Sequence, residues 1–274
     1  MSTSQRLKTR KFGATRVWTM GSGDFLVVVH GGPGMDHTYL EDAMRPAAKV
    51  RRVVFYDQLA CGRDRTPVNS VTAGAMVDQL VDLLCSLSDG GAARVSVLAH
   101  SWGAYALYGA LATGKIPFLQ SSILVSPVGL TRASFDASGE RLVERIPAQM
   151  MSEIETLDAL GDGAGLMRVI FPYYLSPGSR ANSALPTPAY KPNVFARVME
   201  TVGDFDFRTI GPRVPADSVI IYGSDDIEIP AATRELHRRS SVKVLNGCGH
   251  FAFSERPAEF WDAVVSILPL DHAS

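Results

Sequence analysis

Arg94-Val95-Ser96-Val97-Leu98-Ala99 runs straight into His100-Ser101-Trp102-Gly103, and the chain then turns Ala- and Leu-rich until Gly114. A short, continuous apolar run predicts a strand buried on both faces, and the stretch from 102 to 112 predicts a helix. The turn between them has to be sharp. Small residues at 99 and 103 fit that demand, because a larger side chain at either place would collide with neighbouring backbone. Such a turn lifts the Ser101 hydroxyl clear of the sheet and aims a helix N-terminus at it, as in the G-x-S-x-G nucleophile elbow with Ala in the first small position. The next backbone N–H, that of Trp102, is then placed to stabilise an oxyanion. The plain alternative is a serine that caps an ordinary helix.

The same strand-and-turn pattern recurs on both sides. Phe25 to His30 runs into Gly31-Gly32-Pro33-Gly34, and Arg52 to Asp57 into Ala60-Cys61-Gly62. Ser122 to Ser126 ends at Pro127, Ser218 to Tyr222 at Gly223, and Val242 to Leu245 at Gly247. Helical spacing lies between the runs. Met76, Leu80, Leu83, Leu84 and Leu87 recur every three or four residues, with Thr72 as N-cap and Gly90-Gly91 as stop. Glu259 to Ile267 is the last amphipathic stretch. Strand alternating with helix predicts an α/β fold with a mostly parallel central sheet and right-handed crossovers. Residues 129–212 break the rhythm: helix formers from Arg141 to Leu160, then Phe171-Pro172, Ser176-Pro177-Gly178 and Leu185-Pro186-Thr187-Pro188. They read as a helical cap over the sheet edge, inserted between core segments 1–128 and 213–274.

Composition narrows the function. The 274 residues are 46% hydrophobic and 20% charged, with a formal net charge of -1. That supports a full core and excludes a disordered chain. It also argues against a nucleic-acid binder, which carries a basic surplus. The cleanest apolar run, Phe25 to Val29, is far short of the roughly 18 residues of a membrane span, and Met1 to Lys11 is polar and basic, unlike a secretory signal. Cys61, Cys85 and Cys248 are neither a disulfide framework nor spaced as metal ligands. The expectation is a cytoplasmic protein with reduced thiols, no metal, no organic cofactor, and neither nucleic acid nor membrane as partner.

A serine alcohol needs an adjacent base, itself oriented by an acid. The elbow demands the chain order Ser, acid, His. Tyr222-Gly223-Ser224-Asp225-Asp226 and Asn246-Gly247-Cys248-Gly249-His250 both follow predicted strands, where open α/β sheets place their sites. His250 alone of the six histidines combines order, context and flanking glycine. Asp226, with Pro230 four residues on, is favoured over Asp225 as the acid. The glycines of His30-Gly31-Gly32-Pro33-Gly34 let backbone approach a substrate carbonyl, with the Gly32 N–H as the second oxyanion donor. A phosphate cradle is the rival reading of that loop, but neither G-x-x-x-x-G-K-[ST] nor G-x-G-x-x-G spacing is present. His100, Asp57, Gln58 and Arg63 read as structural.

Taken together, His30-Gly31-Gly32-Pro33-Gly34, Asp57-Gln58-Leu59-Ala60-Cys61-Gly62-Arg63, His100-Ser101-Trp102-Gly103, Gly223-Ser224-Asp225-Asp226 and Gly249-His250 resemble the prolyl iminopeptidases and tricorn-interacting aminopeptidases of the α/β-hydrolase fold. The resemblance covers roughly 10–128 and 213–270. It implies a Ser101–His250–Asp226 triad, an oxyanion hole at Gly32 and Trp102, a helical cap, and release of an N-terminal residue from a short peptide or small molecule. It further implies acidic groups that hold the substrate's free amine. Val194 to Phe205 is similar to the family's amine-binding stretch, which puts Asp204 in that role, with help from Glu228 beyond the acid. The competing readings are a tailoring amidase or an ester, thioester or lactone hydrolase, a cofactor-free oxygenase or C–C hydrolase, and a non-catalytic binding protein on the same fold.

Overall fold

In a computed structural model, residues 7–88, 93–180, 185–265 and 267–268 are described. The apolar runs become the strands of one sheet: β1 (Lys8–Phe12), β2 (Thr15–Gly21), β3 (Phe25–Val29), β4 (Arg52–Tyr56), β5 (Val95–His100), β6 (Leu119–Val125), β7 (Asp217–Gly223) and β8 (Ser240–Leu245). Their spatial order is β1-β2-β4-β3-β5-β6-β7-β8. From β4 to β8 every pairing is parallel, and only the β1–β2 hairpin and its β2–β4 junction are antiparallel. The hairpin is the part the sequence pattern did not announce. β1 (KTRKF) is an exposed edge strand with no apolar run, and its cations oppose edge-to-edge pairing with another chain.

Both faces of the sheet are covered, which is why the strands read as continuous apolar runs. Val27, Val29, Val54, Val97, Ala99 and Ile220 face α2 (Ala73–Ser88) and α3 (Gly103–Thr113). Their alternates Leu26, Val28, Val53, Leu98 and Val219 face α1 (Thr38–Glu41) and, near the C-terminus, α8 (Ala252–Glu255) and α9 (Pro257–Val264). The Thr72 hydroxyl accepts from Ala75 N at 3.0 Å and so caps α2. Its expected stop at Gly90-Gly91 lies outside the described residues. Gly114 ends α3 in the left-handed region at φ 71°.

Between β6 and β7 the described regular elements are α4 (Arg132–Arg145), α5 (Met151–Ala159), α6 (Gly163–Tyr174), α7 (Pro192–Thr201) and short 3-10 turns. They do not sit over one edge. Met167 and Phe171 of α6 join the layer that holds Tyr39 and Phe251, whereas Val194 and Val198 of α7 join the α2–α3 layer. α6 and α7 thus bury their apolar stripes in different layers of the core, whereas α5 buries no residue and α4 only Ser138.

Strand order then sets where chemistry can occur. From β3 the chain steps to β4 on one side, and from β4 it crosses to β5 on the other. The carboxyl ends of β3 and β5 therefore lie side by side, with Val29 paired to Ala99. That reversal point is where open α/β sheets form a crevice.

Candidate active site

The turn after β5 carries Ser101 at φ 52°, a backbone region that costs a non-glycine residue on the order of 1–3 kcal/mol and is kept where surroundings impose it. Here they do. Ser101 N donates to Val125 O on β6 at 3.0 Å, and Ser101 O accepts from Ala104 N at 2.9 Å. A Cβ on Gly103 would lie 2.5 Å from Val29 O and 2.9 Å from His30 O, so backbone forbids any side chain there. On the opposite side, a Cβ on Gly31 would stand 3.2 Å from the Ser101 Cβ. The Gly31-Gly32 loop and the Ser101 turn thus pack closely.

Asp226 and His250 come from the loops after β7 and β8. Gly223 allows those loops to touch, since a Cβ there would meet the Cys248 carbonyl, and Asp225 N donates to Cys248 O at 2.8 Å. His250 Nδ1 stands 2.7 Å from Asp226 Oδ1, with side chains 2% and 0% exposed. Glu228 N donates to the same oxygen at 3.1 Å. Burial pushes the Asp226 carboxyl up, but His250, with the Glu228 N–H assisting, outweighs it and holds the group below the ordinary carboxylate value. With Nδ1 engaged, Nε2 is the nitrogen left to exchange a proton. Among the described residues the Ser101 hydroxyl and the Asp225 carboxylate make no hydrogen bond.

Gly32 sits at φ 123°, and the Gly32-Pro33 peptide is cis. Gly31 N is already used, donating to the Tyr39 hydroxyl at 2.8 Å. Among the described residues Gly32 N and Trp102 N donate to no protein acceptor, while Ser101 N and Ala104 N on either side of Trp102 do. The Trp102 ring is buried and stacked on Tyr105 with centroids 4.3 Å apart.

The amine-binding assignments fare differently. Asp204 is exposed and lines a surface hollow of about 430 Å³ with Thr131, Arg132, Ala133, Phe205, Asp206 and Arg208. Side chains alternate along this stretch: Phe205 and Phe207 turn in against Tyr105, at 5.0 and 5.4 Å, and send Asp204 and Asp206 out. The structure does not bring Asp204 to Ser101, Asp226 or His250. Glu228 is beside Asp226 but fully enclosed. Burial, and then the Asp226 charge, push its carboxyl well above the ordinary value, and Ser138 and Arg141 offset this only partly.

Helix α4 supplies residues that the sequence reading passed over. Arg145 Nη1 donates to Asp225 O at 2.8 Å and Nη2 to Asp226 O at 2.7 Å, while Arg141 Nε donates to Ile227 O at 2.5 Å. Ser138, Arg141 and Arg145 are spaced i, i+3, i+7, which puts them on one helix face. That spacing was visible, but nothing in it named the Asp225–Ile227 loop as its target. The base loop has a similar tether. Glu255 accepts from Gly249 N at 3.0 Å, Phe251 N at 3.1 Å and Ser176 N at 2.9 Å. Among the described residues no group of three or more His, Cys, Asp or Glu side chains stands close enough to hold a metal ion.

Comparison with known proteins agrees with this architecture. A proline iminopeptidase from Heyndrickxia coagulans is 24% identical over 261 residues, covering 88% of each chain. The crystal structure of a proline iminopeptidase from Mycobacterium smegmatis superposes with a TM-score of 0.67 at 22% identity, over 96% of this chain and 98% of that one. The structure of VinJ gives 0.73 at 20% identity, with the same coverage. The family model described as "Alpha/beta hydrolase family" matches residues 26–263. With most of its length matched, the chain belongs to the alpha/beta hydrolase family and resembles its proline iminopeptidases.

Proposed function

We propose that the chain is a serine hydrolase that works through an acyl-enzyme on Ser101. The observation that carries this is the buried His250–Asp226 pair, 2.7 Å apart, at the sheet end where the Ser101 elbow stands. In this reading Ser101 Oγ attacks a carbonyl carbon as His250 Nε2 takes its proton, and Asp226 stabilises the imidazolium. The N–H groups of Gly32 and Trp102 receive the oxyanion. His250 returns the proton to the leaving nitrogen or oxygen, leaving acyl-Ser101. Water, deprotonated by the same ring, then releases the acid and restores the serine.

The proposed substrate is a small molecule or short peptide cut at an amide next to a free amine, as the likeness to iminopeptidases favours. The amine anchor is then Glu228, not Asp204. Burial, then the Asp226 charge, push the Glu228 carboxyl well above its ordinary value, and an ammonium beside it would oppose that rise. A second reading, hydrolysis of a neutral ester, thioester or lactone, is favoured by the position of Asp204 on the surface, which leaves one buried carboxyl where a pair was expected. Three free cysteines fit a cytoplasmic setting, and no described helix is long and apolar enough to cross a membrane.

The test is a fluorophosphonate probe with peptide mapping, followed by a panel of aminoacyl-naphthylamides, their N-acetylated forms and simple acyl esters. Label on Ser101, and loss of cleavage on N-acetylation, is the expected result. Label elsewhere, or none, overturns the serine mechanism. Equal cleavage of acetylated and free substrates replaces the amine reading with the second one.

A further inference from the structure

His100 precedes the nucleophile yet is fully buried, as is Tyr39. Its ring lies among those of His250, Phe251, Phe253 and Tyr39, with centroids 5.0 to 5.6 Å away. Both ring nitrogens are used. Nε2 is 3.1 Å from the backbone carbonyl oxygen of His250, and Nδ1 is 2.7 Å from the Tyr39 hydroxyl oxygen. That hydroxyl in turn receives the Gly31 N–H at 2.8 Å.

The protons in this line can be assigned. A carbonyl only accepts, so His100 Nε2 carries hydrogen and donates to His250 O. Burial, then the nearby His250 ring, keeps His100 well below its ordinary value, so the ring is neutral and Nδ1 is bare. Tyr39 therefore donates its own proton to Nδ1 while accepting from Gly31. Every donor and acceptor is matched in one direction only. A Cβ on Gly31 would lie 3.1 Å from His100 Nδ1 and 3.2 Å from the Tyr39 hydroxyl, so the glycine permits this approach.

We infer that Tyr39 and His100 are positioning residues: their hydrogen-bond line from Gly31 N to His250 O fixes the oxyanion loop and the base loop at set places on either side of Ser101. The inference rests on the serine-hydrolase reading above. Neither residue needs to touch substrate. Loss of either link frees Gly31-Gly32 or the His250 backbone to drift, and misplacement by about 1 Å can cost on the order of 100-fold in rate.

Because the substrate is unassigned, the probe is a fluorophosphonate, whose reaction with Ser101 uses both the oxyanion donors and His250. The second-order labelling rate would be measured for the wild type, Tyr39→Phe, His100→Gln and His100→Leu, with thermal unfolding of each. Tyr39→Phe is expected to fold cooperatively and label at least about 10-fold more slowly, from two lost hydrogen bonds and two orphaned partners, Gly31 N and His100 Nδ1. His100→Gln, whose amide can still donate to His250 O and accept from Tyr39, is expected to keep most of the rate that His100→Leu loses. Nitrogen-15 spectra at neutral pH should assign the Nε2–H tautomer to His100. Labelling of Tyr39→Phe within about 2-fold of wild type overturns the inference, as do equal losses in the Gln and Leu variants or an Nδ1–H tautomer. An unreactive wild type would instead refute the serine mechanism itself. If the Leu variant does not fold, Tyr39→Phe and the tautomer still decide the matter.

Discussion

Replacing Asp226 by Asn removes one negative charge and almost no volume. The amide oxygen can still accept from His250 Nδ1 at 2.7 Å, so the ring retains an acceptor but loses the charge opposite it. In the proposed mechanism the charge counts most in the transition state, where the ring carries the proton taken from Ser101. The loss should therefore appear in kcat, with KM nearly unchanged. With both side chains shut away from water, solvent screening does not soften the effect. Triads that lose their acid fall by about 10³–10⁴-fold, or about 4–5.5 kcal/mol at 1.36 kcal/mol per decade. Asp225 is the internal control: it is half-buried and its carboxylate is unpaired among the described residues, so Asp225→Asn should stay within about 0.5 kcal/mol, roughly 2-fold. Steady-state hydrolysis of a p-nitrophenyl acyl ester reads both variants, with thermal unfolding to confirm that each is folded. Asp226 also leaves a pH signature. Its folded value is depressed, so its stabilisation is present above the unfolded value of about 3.9 and fades as pH falls through the folded one. The Asp226→Asn variant should flatten that acid limb. A folded Asp226→Asn protein within 10-fold of wild type in kcat, or a larger loss in Asp225→Asn, would refute the assignment.

Arg145→Met should lower kcat by roughly 10-fold and the melting temperature by about 3–10 °C, since two carbonyls lose a charge-assisted donor worth about 1–3 kcal/mol in this part-exposed site; an unchanged kcat in a folded variant would show that α4 does not hold the acid loop. Glu228→Gln should gain stability relative to the wild type as pH rises: the folded Glu228 value is raised, so its contribution is intact below the unfolded value of about 4.3 and is lost as pH climbs toward the folded one. Unfolding of both forms at pH 4 and pH 8 checks this, and a wild-type protein that resists alkaline pH as well as the Glu228→Gln variant contradicts it. Asp204→Asn should leave turnover of amine and neutral substrates within about 2-fold, as for other exposed carboxylates; an amine-selective loss of 10-fold or more would restore Asp204 to the site.

The core and the elbow were legible because they depend on short-range rules. Continuous β-branched runs mean strands covered on both faces, and Ala99 and Gly103 flank the turn that holds Ser101 at positive φ. His250 and Asp226 were legible from chain order combined with strand ends. β1 was not, since an edge strand such as KTRKF is selected for solubility and lacks the apolar run that marks a strand. Asp204 was misplaced for a different reason. Likeness of the 194–205 stretch carries residue types but not side-chain direction, and one step of alternation put Phe205, not Asp204, toward the core. Arg145 and Glu255 were illegible because their partners are backbone carbonyls and N–H groups, which leave no mark in a sequence.

The tethers explain why the insertion cannot be a detachable lid. Arg145 in α4 holds the carbonyls of Asp225 and Asp226, and Tyr174 O at the end of α6 accepts from His250 N at 2.9 Å. Glu255 binds Ser176 N and Gly249 N with the same oxygen. Candidate acid and base are thus each anchored to a different segment of residues 129–212, while the Ser101 backbone is held by Val125 O, Ala104 N and Val128 N, all outside that segment. A shift of residues 129–212 would therefore move Asp226 and His250 relative to Ser101. The elbow would stay where strain and sheet hydrogen bonds hold it. The His100–Tyr39 line opposes such drift from the core side, because it ties the His250 backbone to Gly31. The His250 loop is thus held between residues 129–212 and the core, and in the proposed mechanism its position sets the alignment for proton transfer.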